Sequence, residues 1–98
     1  MKKVTVAALR RLLPVGTEFE SYLPGARDAA VTTTRRRVAS NSAGQMASLI
    51  LDGPKAGGLI YLSWAGLKVE TDGPHYYLIN PDDGPWFARF TLRSTDNG

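Results

Sequence analysis

The stretch 86-WFARFTLRS-94 sets Trp86, Ala88, Phe90 and Leu92 against Phe87, Arg89, Thr91 and Arg93. Successive side chains of an extended chain point to opposite faces. A period of two therefore predicts a strand with an apolar inside and a polar outside. The same reading extends backwards along the chain. Segments 75-HYYLIN-80, 67-LKVET-71, 58-GLIYLSW-64 and 45-QMASLILD-52 are short, rich in branched and aromatic residues, and bounded by turn signals. The second half of QMASLILD is apolar on both parities, which predicts burial on both sides. In 17-TEFESYL-23, Phe19 and Leu23 oppose Glu18, Glu20 and Tyr22. Residues 30–39 supply one more candidate strand.

The punctuation between these strands repeats. Asp52-Gly53-Pro54, Asp72-Gly73-Pro74 and Asp83-Gly84-Pro85 are three copies of one device. Aspartate bonds its own backbone, glycine supplies positive φ, and proline blocks ladder pairing where the next segment starts.

Only the N-terminal stretch has a helical period. Val6, Leu9 and Leu13 fall on one face behind Thr5, a good N-cap, with Val4 and Leu9 placed for a hydrophobic staple. Pro14 disfavours helical geometry at Leu13, so the helix runs over about 5–13. At two to three turns it forms only by docking its leucines elsewhere. The expectation is a single domain over 1–98, mainly β with one short N-terminal helix. The β body covers about 17–93 and the polar tail 94–98 frays. Six or seven short strands make a small antiparallel barrel or sandwich, on the scale of SH3-like and OB-like domains.

Ninety-eight residues hold one modest core and leave no room for a separate cofactor domain. The absence of cysteine rules out disulfides, thiolate zinc and a cysteine nucleophile, and fits a cytoplasmic location. No apolar run is long enough to span a membrane as a helix, and Arg10-Arg11 interrupts the only stretch resembling a secretory signal. The net charge is +3, unevenly spread: residues 1–37 carry +5 and residues 38–98 carry −2. The halves make a polarised surface only if the fold keeps them apart.

Catalytic chemistry finds little support. His75 is the only histidine and opens a strand directly after Pro74. Asp82-Asp83 belong to the turn N-P-D-D-G-P, where a carboxylate pair is a turn device. Gly57-Gly58 opens a strand and no helix follows to cradle phosphate. The serines lack the G-x-S-x-G signature. The expectation is a protein that is not an enzyme, with no cofactor, no metal and no small-molecule substrate.

The segment 31-VTTTRRRVASNSAGQ-45 is the strongest pointer to a partner. On a strand Arg35 and Arg37 share one face and Arg36 takes the other. Val38 shares a parity with Arg36, and Val31 with Arg35 and Arg37, so the apolar register switches. Either a bulge lies near the arginines, or this is an edge strand with one arginine stem lying along the barrel. The guarded edge is the preferred account. Tyr22, Tyr61 and Tyr77 are aromatics beyond the needs of the core. The candidate binding surface is Arg35, Arg36, Arg37, Tyr61, Tyr77, Phe87, Arg89 and Arg93.

The combination 11-RLLPVGTEFE-20, Arg36-x-Val38 and 58-GLIYLSWAGLKVETDG-73 resembles small, uncharacterised proteins of actinobacterial phages over residues 9–92. The resemblance implies a phage-encoded protein that acts by binding in the host cytoplasm. The long segment 24–34 departs from the pattern. Two functions follow. The first is protein–protein interaction, either self-association or capture of a host protein, using exposed aromatics and arginine. The second is nucleic-acid binding, with Arg35, Arg37, Arg89 and Arg93 on phosphates and exposed rings on bases.

Overall fold

The computed structural model describes residues 1–82 and 84–92. In chain order the elements are β1 (Lys2–Val4), α1 (Val6–Arg11), β2 (Glu18–Tyr22), a 3-10 turn (Ala29–Val31), β3 (Thr33–Asn41), β4 (Gln45–Ile50), β5 (Leu59–Ser63), β6 (Lys68–Asp72), β7 (His75–Ile79) and β8 (Trp86–Leu92). All seven segments with an alternating or continuous apolar pattern become strands. The eighth, β1, has no pattern to read, because three residues with two lysines make a strand only when a partner ladder exists. That partner is β6, with Lys2 opposite Thr71 and Val4 opposite Val69.

The strands form one antiparallel sheet in the order β1-β6-β7-β8-β2-β3-β4-β5. It consists of two meanders, β2 to β5 and β6 to β8, zipped together where β8 pairs with β2. On a flat sheet β4 and β6 would lie about 24 Å apart. Yet Met46 of β4 and Val69 of β6 belong to one core cluster, with Phe19, Val38, Leu78, Ala88, Phe90 and Trp64. The sheet is therefore curled, and α1 fills the concavity with Leu9 and Leu13, both fully buried. The sheet does not close into a barrel by hydrogen bonds among the described residues: β1 and β5 each have one neighbour.

Helix α1 is shorter than its apolar stripe. Thr5 caps it as expected, its Oγ1 accepting from the Ala8 N–H at 3.0 Å. After Arg11 the chain tightens, with the Leu12 and Leu13 N–H groups bonding three residues back, and this turn still delivers Leu13 to the core. Gly73 takes φ +61° in the tight β6–β7 connection, where Asp72 pairs with His75. Asp83 of the third turn lies outside the described residues.

Two expectations are corrected. Strand β3 is not an edge: it lies between β2 and β4. The bulge it was offered as an alternative is present, a register shift between Val38 and Ser40. Trp86 does not point inwards with Ala88 and Phe90. Ile79 pairs with Trp86 while Leu78 pairs with Ala88, so Phe87 is an extra residue that turns Trp86 to the outer face. The charge halves are not kept apart, because β1 joins β6 and β2 joins β8, interleaving the basic and acidic parts of the chain.

Candidate functional site

The arginine triplet divides as strand geometry requires. Thr34, Arg36 and Val38 are all buried on the inner face of β3. Arg36, a candidate surface residue, is only 2% exposed and belongs to no outer patch. Its Nε donates to Thr34 Oγ1 at 3.1 Å and its Nη1 to Ser48 Oγ at 3.3 Å, while its Nη2 is buried without a partner. Desolvation pushes its pKa down from the usual guanidinium range to about 10. The parity shared by Thr34, Arg36 and Val38 was the available signal for this burial. The charge hid it, since arginine is rarely buried without a carboxylate.

Arg35 and Arg37 stand on the outer face, opposite Glu20 and Glu18 of β2. Glu18 holds both, at 2.6 Å to Arg35 and 3.3 Å to Arg37. Arg89 shares that outer face on the far side of β2, opposite Tyr22, with its guanidinium 4.9 Å from the Tyr22 ring centre. Arg35, Arg37 and Arg89 thus share one face, with Glu18 and Glu20 standing between them. Arg93 lies outside the described residues.

Beside Arg89 the outer face carries a ring cluster. Trp86 packs 5.1 Å from Tyr77 edge to face, and 6.1 Å from Tyr22. His75 lies 6.4 Å from Tyr77 and its Nδ1 hydrogen-bonds Thr91 Oγ1 at 2.8 Å. These rings are half-buried against one another. Phe87, set apart by the bulge, lines a shallow apolar cleft with Leu23, Pro24, Ala26 and Pro85. Among the described residues no group of His, Asp and Glu is arranged to hold a metal, and no helix is long and apolar enough to cross a membrane.

Tyr61 stands apart from these aromatics. It is 60% exposed, on β5, with Leu59 on the same outer face 48% exposed. The neighbouring β4 presents Ala47 opposite Tyr61 and Leu49 opposite Leu59. The region from Ala56 to Leu67 contains no charged residue. This strand is one end of the sheet. It combines a backbone edge without a further strand partner among the described residues, two exposed apolar side chains and no charge.

Sequence reasoning overlooked Asn41, at the end of β3. Its amide donates to the Leu13 carbonyl at 3.0 Å, and its Oδ1 accepts from the Trp64 indole N–H at 3.0 Å. One side chain thereby ties the end of the helical turn to the residue following β5. Polar residues after a strand are ordinarily read as turn formers, and nothing local distinguishes this one.

Comparison with protein-family models, curated proteins and solved structures returns no match.

Proposed function

We propose that this protein is a non-catalytic binding module that takes a strand of another polypeptide onto its β5 edge. The observation that supports this is the character of that edge: open, uncharged, and flanked by exposed Leu59 and Tyr61. Main-chain groups supply affinity in such a contact and alternate side chains supply selectivity. The phage-type resemblance makes a host protein one source of that strand, and a second copy of this chain another. Nucleic-acid binding through the outer arginines has less support. Glu18 already occupies Arg35 and Arg37, and the rings that could stack on bases pack on one another.

The test is capture from lysate by the immobilised chain, with nuclease present, for the wild type and for Tyr61→Lys. A discrete protein retained by the wild type and lost with the variant, either from the lysate or a tagged second copy of this chain added to it, is the expected result. A catch that nuclease abolishes overturns the reading and favours nucleic acid.

A further inference from the structure

We infer that β5 pairs with β5 of a second copy, antiparallel, about a twofold axis at Tyr61, joining two curled sheets into one. This deepens the strand-addition reading and rests on it. The bonded backbone groups of β5 define the free ones. The Trp64 N–H bonds the Gly44 carbonyl at 3.1 Å, and the Gly58 carbonyl accepts from the Ile50 N–H at 2.9 Å. Both groups face β4. In an antiparallel ladder a residue that bonds one neighbour directs both its N–H and its C=O there, and the next residue directs both away. Between these two anchors Ile60 and Leu62 therefore direct both groups to β4, whereas Gly58 does so with its carbonyl and Trp64 with its N–H. Leu59, Tyr61 and Ser63 turn their N–H and C=O groups to the free edge.

A twofold axis at Tyr61 matches these free groups to themselves. Tyr61 meets Tyr61 of the partner subunit, and Leu59 meets Ser63 of the partner subunit. Each is an outward residue facing an outward residue, so every free N–H and C=O on β5 finds its complement. A slip of one residue would oppose outward groups to inward ones. A slip of two would leave part of each strand unpaired.

The side chains agree with the same axis. Ile60 and Leu62, half-buried on the inner face, come opposite each other across the new seam. On the outer face the two Tyr61 rings become direct neighbours, the arrangement in which cross-strand aromatics stabilise a sheet. A twofold contact brings like charges together wherever a charge stands near the axis. Here there is none from Ala56 to Leu67. A neutral, self-matching edge suits a second copy; a partner selected by charge would find nothing on it to read.

The test is sedimentation velocity of the purified full chain over a dilution series. The wild type is expected to form a dimer that dissociates on dilution. Tyr61→Pro deletes an outward N–H and leaves the β4 ladder intact, so it should be monomeric with an unchanged circular dichroism spectrum. Tyr61→Lys, which removes no backbone group, should weaken dimerisation at least tenfold and serves if the proline variant fails to fold. Amide exchange at Leu59, Tyr61 and Ser63 should slow as concentration rises. A wild type that stays monomeric throughout, or a dimer indifferent to both substitutions, overturns the twofold pairing. If in that event nuclease-resistant capture still depends on Tyr61, the strand comes from a different protein. If capture is also lost, strand addition at β5 falls with it.

Discussion

The two ends of this sheet differ in length, charge and exposure. Strand β1 is three residues long, two of them exposed lysines, and it leads through Thr5 directly into α1. Short length and lysine are the ordinary means by which a sheet end is kept from recruiting another chain. Strand β5 has five residues, no charge and two exposed apolar side chains. A protein that guards one end and leaves the other bare has an orientation, and association through the bare end alone stops at two copies. The contrast teaches that an edge is judged by what it lacks as much as by what it displays.

Neighbouring positions on β5 carry one bonded and one free N–H. Ile60→Pro removes an N–H that the ladder directs to β4, and should cost about 3 kcal/mol or more. Tyr61→Pro removes one directed to solvent and should cost under about 1 kcal/mol. Chemical denaturation of both variants checks this at dilutions where only monomer is present. Equal losses would show that the ladder alternation assigned to β5 is wrong, and the twofold register would fall with it.

Asn41 connects the surroundings of both ends, holding the Leu13 carbonyl and the Trp64 indole. Asn41→Ala leaves both without a protein partner and should destabilise by about 2 kcal/mol. Trp64 is buried, so its fluorescence should shift to the red as the clamp opens. Loss of stability without any change in fluorescence would place the effect elsewhere than at Trp64.

A smaller effect is expected near β1. Thr5→Ala removes the cap bond to Ala8 and should cost about 1 kcal/mol, with Thr5→Ser recovering most of it. The self-association of β5 should be unchanged, since the cap lies at the other end of the sheet. A coupled loss of dimerisation would mean that the two ends communicate through the core.

Local pattern carried most of the fold and little of the site. Period-two segments such as TEFESYL and WFARFTLRS marked the strands, because alternation is a property of each segment alone. The order of strands is a property of pairs far apart in the chain, which is why β3 was expected at an edge and lies in the interior of the sheet. Its triple arginine suggested a guard; the sheet end that does carry exposed basic residues is β1, with Lys2 and Lys3. The burial of Arg36 was present in the parity of Thr34 and Val38, but charge outweighed parity in the reading. Trp86 was misplaced by one bulged residue, which shifts a side chain to the other face without altering the composition of the strand. The character of β5 was written in its lack of charge, yet its meaning depends on β5 being terminal. That required the whole sheet.

The smallest expected change in stability tests the guarded end directly. Lys2→Thr together with Lys3→Thr keeps β1 competent to form a strand and removes its charge. These side chains are exposed, so folding stability should move by no more than about 0.5 kcal/mol. Association should respond more. With both ends unguarded, copies already joined at β5 can also join at β1, and species larger than the dimer should appear in sedimentation at high concentration. Raising salt should produce a weaker version of the same change in the wild type, because screening reduces the repulsion between lysines that would meet across paired β1 strands. If the double variant stops at the same species as the wild type, charge is not what protects β1. Its three-residue length and the immediate turn into α1 would then be sufficient, and the difference between the two ends would be one of length and exposed apolar surface.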